Sequence, residues 1–279
     1  MKKSILITGC SSGIGRDAAI TLHKEDWRVF ATCRKHSDCE ALIDQGLESF
    51  TLDYESSDSV QTAAAEALNR TGGTLDALFN NGAYAIPGCT EDLSRDALRT
   101  LFEANFLGPF ELINALIPAM RKQGHGHIIN CSSVLGFAAM PFRGAYNSTK
   151  FAMEGLSDTL RLELNNSGIH VVLIEPGPIT TKIRKNSQQP FEQWIDYKAS
   201  AQKEMYEKVL NPRLYAEDGK PDRFELPPSA VTQTLIKALN SDNPNPRNYV
   251  TVPTHIAGIL KRVCSTRMID KIFLRRYSK

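Results

Sequence analysis

Ser4-Ile-Leu-Ile-Thr-Gly-Cys-Ser-Ser-Gly-Ile-Gly15 opens the chain. Its first residues are an apolar run that reads as a buried parallel strand. Glycines follow, and Asp17-Ala-Ala-Ile-Thr-Leu22 then starts a helical pattern. Gly9 permits a tight turn. Gly13 and Gly15 let a ligand approach the backbone, so that the N-terminus of the helix can hold an anion. The spacing is Gly-x-x-x-Gly-x-Gly, not the Gly-x-Gly-x-x-Gly of the commoner dinucleotide fingerprint. A bare glycine loop is more often only a turn. Its place between the first strand and the first helix makes a nucleotide pyrophosphate the expected ligand.

Further strand-like runs continue outward from this unit: Arg28–Cys33, Leu47–Leu52, Leu75–Asn80, His127–Ser132, His170–Glu175 and Tyr249–Val252. Helical patterns fill the gaps, notably Ser56–Asn69, Arg95–Lys122 and Gly144–Asn166. This alternation predicts an α/β fold, a Rossmann-type doubly wound parallel sheet of about seven strands with helices on both faces. Ligands of such sheets sit beyond the carboxyl ends of the strands. The Gly9–Gly15 loop, Arg34, Asp53, Asn80–Ala83, Ser133 and Pro176–Thr181 all fall at such ends.

A second motif carries proton chemistry. Tyr146 and Lys150 lie in Gly144-Ala-Tyr-Asn-Ser-Thr-Lys150, and Ser133 precedes the tyrosine by thirteen positions. Residues four apart share a helix face, which sets the ammonium beside the phenol. A free tyrosine titrates near pH ~10. A neighbouring positive charge favours the phenolate and is expected to lower that value toward the working range of an acid–base catalyst. Ser133 can hydrogen-bond the substrate oxygen. A Tyr-x-x-x-Lys pair by itself is usually only a surface helix pair, so the weight rests on the whole set.

The 279 residues suffice for one large domain, 1–279, and the net charge of +2 implies no nucleic-acid partner. No run of eighteen apolar residues suggests a membrane span. The six cysteines are scattered and form no Cys-x-x-Cys pair. Reduced thiols in a cytoplasmic protein, without a metal site, are the expectation. Residues 182–228 contain no strand-like run and carry Trp194, Tyr197, Met205, Tyr206 and Phe224. Their position after the sixth strand predicts a helical substrate lid. With Leu135, Phe137 and Phe142 they would wall an apolar pocket. Residues 255–279 form a basic helical extension with apolar positions at helical spacing. A helix docked on the core with a solvated basic face is the favoured reading, and contact with an anionic membrane surface is the other.

The combination of Thr8-Gly-x-x-x-Gly-x-Gly15, Asp53, Asn80-Asn-Gly-Ala83, Asn105, Ser133, Tyr146-x-x-x-Lys150 and Pro176-Gly177 resembles the short-chain dehydrogenase/reductase family. The likeness is strong over residues 4–181 and looser beyond. Ala31-Thr-Cys-Arg34 and the long C-terminal part are similar to its retinol and 17β-hydroxysteroid dehydrogenase branch, which includes bacterial NADP-dependent aldehyde reductases. The resemblance implies Tyr146 as proton donor or acceptor, with Lys150 lowering its pKa and binding the nicotinamide ribose. It implies Ser133 as the carbonyl-polarising residue and Asn105 as holder of a relay water. It also implies coenzyme contacts from Gly9, Ser11, Ser12, Gly13, Ile14, Gly15, Asp53, Asn81, Gly82, Ala83, Pro176, Gly177, Ile179 and Thr181. A homo-oligomer is implied as well.

One departure is the order Gly82-Ala83, where the family usually has Ala-Gly. A glycine needing a positive φ is not replaced by alanine without strain, so a slightly altered turn is expected. Coenzyme choice follows from charge. Cys33 stands where NAD enzymes place an acid, and Arg34 follows, able to grip a 2′-phosphate. NADP(H) is therefore the expected coenzyme, and an apolar aldehyde, ketone or alcohol the expected substrate. An NADP-binding, redox-sensing regulatory protein without turnover is the alternative; loss of the tyrosine or lysine would be its mark, and both are present.

Overall fold

Seven parallel strands form one sheet in the order β3-β2-β1-β4-β5-β6-β7. The computed structural model describes residues 2–216 and 222–274. The strands are β1 (Ser4–Ile7), β2 (Arg28–Cys33), β3 (Glu48–Thr51), β4 (Ala77–Asn80), β5 (Gly126–Cys131), β6 (Ile169–Pro176) and β7 (Arg247–Val250). The chain winds outward from β1 to β3, then returns to place β4 on the other side of β1, with Ile7 opposite both Ala31 and Phe79. This reversal opens a crevice at the carboxyl ends of β1 and β4. The doubly wound architecture expected from the sequence is present.

Helices α1 (Gly13–Lys24) and α2 (His36–Ile43) cover one face together with α11 (Ser229–Leu239). Ile5, Ile7, Val29, Ala31, Phe79 and Ile174 pack there against Ala18, Leu22, Leu42 and Leu235. The other face carries α3 (Ser57–Arg70), α5 (Gly108–Gln123) and α6 (Gly144–Glu163), with Leu6, Phe30, Leu78 and Ile128 against Val60, Leu112, Leu116 and Leu160. Alternate strand residues thus feed opposite layers, and both faces are dry, as an all-parallel sheet requires. Burying each large aliphatic side chain contributes about 1.5–3 kcal/mol. Local signals set the helix ends. Ser56 and Ser94 accept hydrogen bonds from Ser59 N (3.3 Å) and Ala97 N (3.1 Å) at the starts of α3 and of α4 (Arg95–Phe102). Pro109 stands in the first turn of α5, and Gly124 closes it in the left-handed region at φ 77°.

Between α4 and α5 the helix widens into a π turn at Glu103–Leu107. Beyond β6 come the short helices α7 (Ile183–Asn186), α8 (Gln188–Trp194), α9 (Lys203–Met205) and α10 (Asn211–Leu214), with a second π turn at Tyr206–Leu210. After β7 the chain ends in α12 (Val252–Val263) and α13 (Thr266–Leu274). Of the expected lid, 217–221 lie outside the described residues, as do 275–279 of the expected C-terminal extension.

Candidate active site

Three loops meet at the crevice. In the first, Gly9 (φ 71°) and Gly13 (φ 59°) adopt left-handed conformations. A Cβ on Gly9 would lie 2.7 Å from Gly82 Cα, and one on Gly15 would lie 2.5 Å from the Gly9 carbonyl oxygen. Only glycine permits this packing of turn against turn. Ser12 precedes α1 in an extended conformation and makes no side-chain cap hydrogen bond, so it does not occupy the amides at the helix start. Ser11 is exposed, and Ile14 packs partly against the core below. The third loop arrives from β6: a Cβ on Gly13 would touch Thr181 Cγ2 at 3.1 Å. Ile179 in that loop bridges to Leu226.

Thr8 fastens the second loop to the first. Its Oγ1 accepts hydrogen bonds from Asn81 N (2.9 Å) and Gly82 N (3.0 Å), while Asn81 Nδ2 donates to the Thr8 carbonyl (3.0 Å). Tyr54 completes the junction. Its buried hydroxyl donates to Asn80 Oδ1 (2.7 Å) and lies 2.8 Å from Thr8 Oγ1. A Cβ on Gly82 would meet the Tyr54 ring at 3.1 Å. Neither Gly82 nor Ala83 has a positive φ, so the strain expected from the Gly82-Ala83 order is absent. Gly82 is needed for close approach, not for a left-handed turn. Tyr54 went unnoticed in the sequence because a tyrosine after Asp53 carries no periodic or motif signal.

Ser133 follows β5 in extended conformation. Its Oγ accepts from Leu135 N (3.1 Å), donates to the Pro176 carbonyl (3.5 Å), and is near enough to Tyr146 to favour its phenolate. Tyr146 sits in the first turn of α6 and is 9% exposed. One turn on, Lys150 Nζ donates to the Cys131 carbonyl (2.7 Å) and lies 5.5 Å from the centre of the Tyr146 ring. The three expected catalytic side chains are therefore together. Their electrostatics differ from expectation. Burial is the largest influence on Tyr146 and raises its pKa well above the ordinary value, with Arg143 and Ser133 acting the other way. Burial also lowers Lys150. Lys150 is not among the groups that favour the phenolate here, and its ammonium is held by the Cys131 carbonyl.

Asn105 lies in the first π turn and is 1% exposed. Its amide accepts from Tyr84 N (3.1 Å) and donates to Tyr84 O (2.9 Å) and Thr149 Oγ1 (3.3 Å). It ties the loop after β4 to α6. Ser132 is buried away from the crevice beside Gly136 and Glu154, in keeping with its exclusion from the catalytic set.

The description "short chain dehydrogenase" matches residues 3–192 of this sequence. The chain belongs to the short-chain dehydrogenase family. As such it is an oxidoreductase acting on CH–OH groups. It is 39% identical to "Uncharacterized oxidoreductase YbbO" of Escherichia coli over 272 residues, 98% of this chain and 94% of that protein. Human "17-beta-hydroxysteroid dehydrogenase type 1" is 30% identical over 276 residues, 88% of this chain and 83% of that one. A crystal structure of a short-chain dehydrogenase from Streptomyces avermitilis superposes with a TM-score of 0.79 at 26% identity, covering 100% of both chains.

In this short-chain dehydrogenase the segment after β6 packs over Tyr146. Phe191, Ile195, Tyr206, Leu210 and Leu214 are buried in one cluster with Tyr146, Ile86 and Phe142. The Tyr206 hydroxyl donates to Asp92 Oδ2 (2.6 Å) and accepts from Cys89 N (2.7 Å). Of the aromatics after β6, Phe191 and Tyr206 are buried, Trp194 and Tyr197 are partly buried, and Tyr215 and Phe224 are exposed; Leu135, Met205 and Val209 also remain partly open at the cluster's margin. At the coenzyme end, Arg34 is exposed and Cys33 is buried with Cys10 and Cys39. An acid the sequence reading overlooked, Glu55, stands in this region. Burial raises its pKa first, the Asp53 charge adds to that, and Arg34 opposes it. The Asp53 carboxylate accepts from Glu55 N (3.1 Å), and the Asp53 amide donates to Ser59 Oγ (2.9 Å).

Proposed function

We propose that the chain is an NADP(H)-dependent oxidoreductase interconverting an apolar aldehyde or ketone and its alcohol, with Tyr146 as proton donor or acceptor. The observation that carries this reading is the grouping of Ser133, Tyr146 and Lys150, with the ammonium 5.5 Å from the centre of the Tyr146 ring, at the mouth of the glycine-lined crevice. The cradle fits the coenzyme, since a Cβ at Gly9 or Gly15 would clash with neighbouring backbone. Gly9–Gly15 would hold the pyrophosphate at the start of α1. Asp53 and Asn81–Ala83 would face the adenosine, Lys150 the nicotinamide ribose, and Pro176, Gly177, Ile179 and Thr181 the nicotinamide amide. The bound nicotinamide supplies the hydride.

The chain's own groups do the rest. Ser133 Oγ orients the substrate oxygen against the Tyr146 hydroxyl. A tyrosine phenol is protonated at neutral pH, which suits carbonyl reduction, where a proton is delivered as charge develops on oxygen. Asn105 anchors the wall behind Tyr84, and a relay of protons past it is part of this reading. Leu135, Trp194 and Met205 offer apolar surface beside Tyr146. An exposed Arg34 favours a 2′-phosphate. Phe110 on α5 and Phe151 on α6 are 39% and 42% exposed, which supports a homo-oligomer. A cytoplasmic setting belongs to the same proposal.

Tyr146→Phe tests it. General acid catalysis contributes roughly 10²–10⁴-fold, so NADPH-linked turnover should fall by that order while NADPH still binds, read by its fluorescence. Near-normal turnover overturns the assignment. Across a carbonyl panel, aliphatic or ring-bearing apolar substrates should lead in kcat/KM; preference for small hydrophilic ones overturns the substrate class.

A further inference from the structure

The C-terminal helices carry an apolar face that the fold does not use. In α12, Thr254, Ala257 and Gly258 are buried. They are small, and they let the helix lie close to Tyr249, whose ring a Cβ on Gly258 would meet at 2.4 Å. Val252, Ile256, Ile259 and Val263 follow one another at spacings of four, three and four, a single stripe on the side opposite the buried residues. They are 49%, 49%, 62% and 73% exposed. Helix α13 has no buried residue, and Met268 and Ile272, one turn apart, are 54% and 42% exposed. Large aliphatics therefore point outward along both helices, where a helix serving only its own fold carries polar residues.

Charge selects the occupant. Lys261, Arg262, Arg267 and Lys271 are exposed on the same two helices, and Asp270 is the one acid among residues 252–274. Exposed aliphatics with exposed basic side chains on the same two helices suit the interface of an anionic bilayer, where the aliphatics enter the acyl boundary and the cations meet headgroups. A second copy fits less well, because a twofold contact would set these cations against each other. No helix among the described residues is long and apolar enough to span a bilayer, so the contact is peripheral.

The opposite, buried side of α12 packs near the catalytic region. Thr251 and Thr254 Oγ1, at the start of α12, would lie 2.3 and 2.7 Å from a Cβ on Gly177, and Phe137, just after Ser133, packs its ring 5.3 Å from that of Tyr249. We propose that α12 and α13 dock this enzyme on an anionic lipid surface. Docking stands without the assignment of substrate. Delivery of a lipophilic carbonyl from the bilayer rests on the proposed function.

Flotation of the purified full-length chain with vesicles tests the docking. With vesicles containing phosphatidylglycerol the protein should float. With pure phosphatidylcholine, or at high salt, the bound fraction should fall roughly tenfold, because surface charge attraction is screened within a Debye length. Ile259→Asp with Val263→Asp should abolish flotation while leaving oligomeric mass, NADPH binding and turnover of a water-soluble carbonyl unchanged. Lys261→Glu with Arg262→Glu should weaken it to the phosphatidylcholine level. Absence of flotation with phosphatidylglycerol overturns the proposal. So does flotation that both variants retain. A drop in oligomeric mass in the Asp variant also overturns it, by assigning the face to a second copy. If vesicles bind but no apolar carbonyl is turned over, docking stands and the substrate reading fails.

Discussion

Tyr54 reaches across the crevice floor to two loops, and Gly82 makes room for its ring. Tyr54→Phe leaves Asn80 Oδ1 without its buried donor, at a cost of about 1–3 kcal/mol. Urea unfolding should report that loss, and KM for coenzyme should rise because Thr8 holds the Asn81–Gly82 turn. Gly82→Ala should behave similarly, since the ring must shift. Coenzyme preference is also decided at single residues. On the proposed NADP(H) reading, Arg34→Ala would remove a charge-assisted contact worth about 1.5–3 kcal/mol. The ratio of kcat/KM for NADPH over NADH should therefore fall by roughly tenfold or more. An unmodified enzyme that already prefers NADH contradicts this assignment. Cys33→Asp is a poor companion change, because it would bury a carboxylate beside Cys10 and Cys39.

Motif residues were legible at this scale because their spacing is their signal: Gly9, Ser133, Tyr146 and Lys150 were all found by position alone. Tyr54 and Glu55 were not, since their roles arise from neighbours distant in sequence. The protonation behaviour of Tyr146 was misread for a related reason. Helical spacing sets Lys150 on the right face, but the Cys131 carbonyl decides where the ammonium rests.

Among the elements, Arg28–Cys33 was read to its ends because β-branched and aromatic residues fill it. The reading Tyr249–Val252 ran past β7, since Thr251 leaves the strand at φ 88° and Val252 already begins α12. Arg95–Lys122 was read as one helix, and the π turn at Glu103–Leu107 divides it. An apolar period does not reveal one inserted residue. Apolar spacing gave the C-terminal extension as helical, yet could not tell which side of α12 meets the core. In the lid, Tyr206→Phe breaks the links to Asp92 and Cys89. A stability loss of about 1–3 kcal/mol is expected, with faster proteolysis near 206 and a higher KM for the carbonyl. Unchanged proteolysis would mean that the lid does not depend on this tether.

At the scale of the whole molecule, β6, β7 and α6 meet at a buried charge cluster. Arg247 bonds Glu154, Glu175 (2.8 Å) and Asp158 (2.6 Å). Glu175 is fully buried, and burial, followed by the Glu154 charge, pushes its pKa up to about 8. An unfolded glutamate titrates near ~4.3. Glu175 therefore binds its proton more tightly when folded. Its stabilising contribution is complete below about pH 4 and is lost as the pH rises through about 8. Glu175→Gln should flatten this slope, read as a smaller difference between denaturation midpoints at pH 5 and pH 9.

The sheet order has a further consequence for how the chain comes to life on the ribosome. β1 emerges first yet ends in the middle, and its pairing of Ile5 with Ala77 waits until β4 has been made. The pairing of Leu173 with Arg247 waits until β7 has been made. Until then an apolar strand edge stands open in the nascent chain, the situation in which slow, non-local parallel pairing invites aggregation. Yield in the cell should thus depend on chaperone supply during translation more than on the stability of the finished enzyme.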